Sequence, residues 1–129
     1  MILSILLLSI WTPAIQCVAI DGDTLRCPEI GRVRLLGIDA PEMPGHCRKG
    51  RDCAPGDPHS SKASLARLIR AGVTIAPVTR DRYGRTVAQV YAGGRNVACE
   101  QLRVELAVYI ERWDTGRRLA KECRQHHAP

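Results

Sequence analysis

The stretch RLLGIDAPE, Arg34 to Glu42, runs a short apolar segment from a fixed positive charge into two carboxylates, Asp39 and Glu42. A strand that only fills a core needs none of the three. A second acidic pair, Asp21 and Asp23, stands in DGDT, and DRYGR brings Tyr83 and Arg85 into one tight turn. Hard divalent cations bind carboxylates, backbone carbonyls and water. Hydrolysis of a phosphodiester builds negative charge on a five-coordinate phosphorus and calls for positive charge placed where it grows. Strand-end aspartates around a cation, with Arg34 and Arg85 facing the same point, would supply that charge. Glu42 would then serve as general base within reach of a water. Taken singly, each piece has a plainer reading. Asp-Gly is a common turn, Asp before Ala-Pro is ordinary loop chemistry, and an isolated Arg is normally solvated.

These residues need elements to hold them. CVAIDGDTLRC places two apolar-rich runs around Asp-Gly, which predicts a hairpin. GRVRLLGI is a third strand, with Arg32 and Arg34 on one face and Val33 and Leu35 on the other. Pro41 to Pro58 is rich in Pro, Gly and charge and reads as an exposed loop, a length that is often functional. Asp57-Pro58 starts a helix that Gly72 closes. VTIAPV is a fourth strand that Pro77 pushes to an edge or a bend. TVAQVYA is a fifth. Asn96 caps a second helix, with Ala98, Leu102, Leu106 and Tyr109 on one stripe. DTGRRLAKECR is a short third helix. The expected fold is a five-stranded Greek-key barrel of the OB type with about three helices.

The chain has 129 residues and a net charge of +6, enough for one domain. Of its 19 basic residues, 16 are Arg, whose planar fork suits phosphate oxygens. Nucleic acid is therefore a natural partner. Residues 1–14 contain an apolar run with TPA behind it, which reads as a signal peptide. Its lack of Lys or Arg departs from that pattern and leaves a first strand as the other reading. Residues 15–129 are then the mature domain, secreted or periplasmic, with a cytoplasmic location as the alternative. Gln16 before Cys17 is a poor lipoprotein junction.

Six cysteines in a small exported chain read as a disulfide framework. Cys17 and Cys27 lie symmetrically about Gly22, Cys47 and Cys53 bracket a loop, and Cys99 is left with Cys123. Zinc, with His46 beside Cys47, is the rival reading, but no pair has the short C-x₂-C spacing. His46, His59, His126 and His127 are read as solvated, and Trp113 as a core or edge-packing residue.

VAIDGDT, VRLLGIDAPE and DRYGR, in that order, resemble the staphylococcal nuclease (thermonuclease) family over roughly residues 15–113. The resemblance implies an OB barrel with three helices and calcium-dependent hydrolysis of DNA and RNA that leaves 3′-phosphates. Matched motif by motif, it implies Asp23 and Asp39 as the calcium carboxylates. Ala40 would lend a backbone carbonyl, and Asp21 would be an outer-shell acid. Glu42 is similar to the base, Arg34 and Arg85 to the phosphate clamps, and Tyr83 to a tyrosine on the terminal phosphate. The loop MPGHCRKGRDCAPG departs from the family pattern, Glu105 stands where relatives often have Gly, and Tyr109 is only a candidate for a second stacking tyrosine. A monomer is expected. Two other functions fit parts of the sequence. One is an OB module that binds single strands without cutting; the other is a disulfide-stapled interaction domain, which leaves the charged residues without a job.

Overall fold

The computed structural model describes residues 14–126. The apolar leader therefore lies outside the described residues, Ala14 apart, as do the side chains of His126 and His127. Among the described residues, no helix is long and apolar enough to cross a membrane.

Asp21-Gly22-Asp23 reverses the chain between β1 (Val18–Ala19) and β2 (Thr24–Cys27). The Cys17–Cys27 disulfide staples the open end of this hairpin. β3 (Gly31–Leu35) returns antiparallel to β2, with Leu25 opposite Val33 and Thr24 opposite Arg34. β4 (Ile38–Asp39) follows at once. After the long loop, α1 (Pro58–Leu68) starts on Asp57, whose carboxylate accepts the His59 amide at 3.0 Å. The helix ends before Gly72, which instead takes a φ of +96° in the turn into β5 (Thr74–Arg80). β6 (Thr86–Ala92) pairs antiparallel with β5 and parallel with β3. β7 (Arg95–Asn96) folds back on β6, and Asn96 caps α2 (Val97–Arg103) through two backbone amides. β8 (Val108–Tyr109) pairs with β4, and α3 (Arg118–His126) closes the described chain.

Two expectations need correction. Among the described residues there are eight strands, not five, and four of them are two residues long. The main path runs β1-β2-β3-β6-β5 and is not a closed barrel. Its ends meet at a single bridge, Ile15 to Val73, made by two hydrogen bonds of 2.9 and 2.8 Å. β1 is too short to carry a longer seam, and Pro77 lacks an N–H and breaks the β5 register before Thr79. The mixed sheet and three helices remain consistent with an OB-like fold.

The second correction concerns α2. It stops at Arg103, so Leu106 and Tyr109 are not on its stripe. Glu105 adopts φ +60°, a left-handed turn that ends the helix and sends the chain into β8. Tyr109 then donates its hydroxyl hydrogen to Asp114 at 2.7 Å.

The core is aliphatic, as a chain without Phe requires. Leu25, Val33, Leu35, Leu36, Ile38 and Leu65 are fully buried within it. Each such side chain contributes roughly 1.5–3 kcal/mol of transfer free energy. One buried amide ties three elements together. Gln101 Nε2 donates to the carbonyls of Gly22 (3.0 Å) and Ser61 (2.9 Å), and its Oε1 accepts from Ser64 Oγ (2.6 Å). Gly22 allows that approach: a Cβ there would stand 1.8 Å from Ser61 Oγ. The three disulfides pair as the spacing predicts, and Cys99–Cys123 joins α2 to α3.

Candidate active site

Sheet register builds the acidic end of the site. Thr24 lies opposite Arg34, so Asp23, one residue earlier, meets the Arg34 side chain. Arg34 Nη1 stands 2.8 Å from Asp23 Oδ1. After Leu35 the chain must turn back sharply to bring Asp39 to the same guanidinium. Gly37 makes that turn at φ +76°, packed so closely that a Cβ would lie 3.0 Å from Leu119. Arg34 Nη2 then reaches the Ile38 carbonyl at 3.2 Å and Asp39 Oδ1 at 3.5 Å. The Ala40 amide donates to Asp23 Oδ2 at 2.8 Å, and Thr24 Oγ1 donates to Oδ1 at 2.8 Å. One arginine thus holds both predicted metal aspartates, although they stand 16 positions apart in the chain.

Their electrostatics differ. Burial works to raise the Asp23 carboxyl, but the Arg34 charge and the surrounding hydrogen bonds outweigh it and hold it below the usual carboxylate range. Asp21 is pushed up to about 7, first by burial and then by its hydrogen bond to, and repulsion from, Asp23. Asp39 is raised by burial and by the Asp23 charge, against the pull of Arg34 and Arg51. Three crowded acids with too little positive charge are what a cation relieves.

The long loop supplies residues that sequence reasoning missed. Arg51 Nη1 lies 3.1 Å from Glu42 Oε1, and its Nη2 lies 3.4 Å from both Asp39 oxygens. Arg48 donates to the Tyr83 hydroxyl at 3.1 Å. Both arginines sit within the ring closed by Cys47–Cys53. The cysteine spacing announced a pinned loop, but nothing in it said where the loop would lean. Trp113 is half-buried, as an edge-packing residue would be, and its face meets arginines. Its half-buried ring lies 5.3 Å from the Arg34 guanidinium carbon, 5.9 Å from that of Arg51 and 5.4 Å from that of Arg112, within cation–π range.

The structure gathers Asp21, Asp23, Arg34, Asp39, Ala40 and Glu42 into one network. It does not join Arg85 to them directly. Asp81, at the start of the same turn, accepts from Arg85 Nε at 2.6 Å, and no described residue bonds to its terminal nitrogens. Arg85 is nonetheless close by in the sheet, because Thr86, the next residue, pairs with Val33 beside Arg34. Tyr83 is exposed and ringed by the guanidiniums of Arg48, Arg82 and Arg85 at 5.1–5.4 Å. His46 and His59 are exposed, as expected.

For a metal, the donor set is all oxygen, which fits a hard cation such as calcium. Asp23 and Asp39 would hold it, with the Ala40 carbonyl and Asp21 nearby. Among the described residues no group of three His, Cys, Asp or Glu side chains is arranged to hold an ion, so backbone oxygen and water would have to complete the shell. A shallow concavity of about 440 Å³ lined by Ala14, Gly72, Val73 and Tyr91 contains none of these groups.

The OB-like sheet thus carries acids and arginines together at its strand ends. Residues 32–128 match the Staphylococcal nuclease homologue family, so the chain belongs to that family. An uncharacterized endonuclease of Escherichia coli O157:H7 is 35% identical over 100 residues, which cover 74% of this chain and 60% of that protein. A second uncharacterized endonuclease, from Haemophilus influenzae, is 37% identical over 92 residues, 67% of this chain and 46% of that protein. A probable endonuclease, LCL3, of Paracoccidioides lutzii is 35% identical over 89 residues, covering 61% and 24%. The chain thus spans between about a quarter and 60% of the length of these relatives. Each of these three relatives carries the name endonuclease.

Proposed function

We propose that the protein is a calcium-dependent nuclease that hydrolyses phosphodiester bonds of DNA and RNA with little sequence preference. The observation that carries this reading is the single Arg34 guanidinium shared by Asp23 and Asp39, with Glu42 tied to the same cluster through Arg51. Asp23 and Asp39 would hold calcium, which when bound would supply positive charge at the phosphate and make a nearby water more acidic. Glu42 accepts the proton of that water. The water oxygen bonds to phosphorus as the bond to the 5′ oxygen breaks; that oxygen takes a proton from solvent to become a hydroxyl, and the phosphate stays on the 3′ end. Arg34 and the free end of Arg85 are the phosphate clamps of this reading, offsetting negative charge as it grows on the phosphate oxygens. Tyr83 lies beside Arg85 and contacts the terminal phosphate. Three disulfides and the apolar leader support an exported protein.

Plasmid and RNA degradation, measured with calcium and with chelator, tests the reading. Cleavage in calcium that chelator abolishes supports it. If the protein retains single strands on a gel but leaves them uncut in calcium, it is a binding module instead.

A further inference from the structure

We propose that Arg51 is a positioning residue that competes with the divalent cation for Asp39 and, once displaced, faces the incoming phosphate. The proposal rests on the calcium reading above. It starts from one guanidinium that bridges two acids with different tasks. Its Nη2 stands 3.4 Å from both oxygens of Asp39, the proposed cation ligand. Its Nη1 stands 3.1 Å from Glu42, the proposed base. A cation on Asp39 takes lone pairs that Arg51 uses and sets a positive charge beside it. Arg51 then has to yield, and Glu42 is released to a water at the same moment.

Three features allow the movement and limit it. The Arg51 side chain is 37% exposed, against 12% for Arg34, so it can leave without uncovering the core. Trp113 gives it a face to rest on, 5.9 Å from its guanidinium carbon. The Cys47–Cys53 ring, with the Arg51 amide bonded to the Arg48 carbonyl at 3.0 Å, keeps its backbone beside the site. The formal charges agree. Asp21, Asp23, Asp39 and Glu42 are four carboxylates facing two guanidiniums, Arg34 and Arg51. Removing one guanidinium leaves a more negative site for the cation.

The test is calorimetric titration of calcium into the full chain and its Arg51→Gln and Arg51→Lys variants. Arg51→Gln binds calcium roughly three- to tenfold more tightly, the scale set by a partly exposed charge pair. Arg51→Lys, which keeps the charge but cannot fork across both acids, falls between that variant and the wild type. At saturating calcium, Arg51→Gln raises KM for single-stranded DNA while kcat changes less, because a phosphate contact is lost and the base is not. A merely structural loop residue would not give a gain in calcium affinity. Equal or weaker calcium binding by Arg51→Gln overturns the proposal and leaves the calcium reading standing. No calcium binding by any of the three proteins overturns both.

Discussion

Arg34 holds the buried Asp23 carboxylate at 2.8 Å from the neighbouring strand, with only 12% and 3% of the two side chains exposed. An ion pair this deep is costly to break from one side, because the remaining charge stays buried without its partner. Arg34→Ala should therefore cost about 3–5 kcal/mol of stability as well as activity. Urea denaturation of the purified variant checks this. A loss under about 1 kcal/mol would mean that water reaches Asp23 and that the pair contributes little.

Glu42 gives the opposite pattern. It sits at the edge of the cluster, one-fifth exposed and paired with a loop arginine. Glu42→Gln should lower kcat roughly 10²–10³-fold, the scale of a lost general base. Stability should hold within about 0.5 kcal/mol. Nuclease rates and a melt on one preparation separate the two effects. Wild-type cleavage by this variant removes Glu42 from the mechanism.

Calcium should stabilise the fold by mass action. At about one hundred times its dissociation constant, the gain is about 2.7 kcal/mol. Asp39→Asn should lose most of it, since Asp39 is one of the two proposed ligands. Thermal melts with calcium and with chelator, on both proteins, read the difference.

The three tyrosines should ionise in two groups. Tyr83 is lowered by its hydrogen bond from Arg82 and by the nearby arginine charges. Tyr91 and Tyr109 are raised to about 12, first by burial and then by the carboxylates of Glu122 and Asp114 that accept their hydrogens. A raised value means that the folded state holds the proton more tightly than the unfolded chain does. The stability these two contribute is complete below the ordinary value of 10.0 and is lost as pH climbs through about 12. Ultraviolet titration should show one phenol ionising early and two late, and Tyr83→Phe should erase the early step alone.

Gly22→Ala should destabilise the protein by roughly 1–3 kcal/mol, the usual cost of overpacking. The new Cβ would fall 1.8 Å from Ser61 Oγ and 2.8 Å from the Ala40 Cβ. Adding Ser61→Gly should restore part of the loss by emptying one side of the clash. Denaturation midpoints of the single and double variants give the comparison.

The parts of the fold legible in the sequence are those specified by neighbours in the chain. The Asp-Gly hairpin, the Asp57-Pro58 helix start, the bend at Pro77 and the DRYGR turn all depend on backbone preferences a few residues long. The two-residue strands β4 and β8 carry no periodicity, so their pairing was hidden, and with it the departure of Tyr109 from the α2 stripe. The acids and Arg34 could be found because strand ends expose them in short motifs. Arg51 could not. It is one of three basic residues in the ring RKGRDC, and only the tertiary lean of that ring selects it over Arg48 and Lys49. Trp113 sits half-buried, in keeping with an edge-packing residue, but its arginine neighbours were not foreseen. Burial of a ring says nothing of whether its face meets aliphatic groups or guanidiniums.

The Gly22 carbonyl finds its amide partner in Gln101, 79 residues further along the chain. The turn that presents Asp21 and Asp23 is therefore held from a distant part of the sequence. The same Gln101 amide also bonds Ser61 of α1, so the turn is held by both helices at once. Loosening α2 should therefore loosen the Asp21–Asp23 turn with it, however far apart the two stand in the chain.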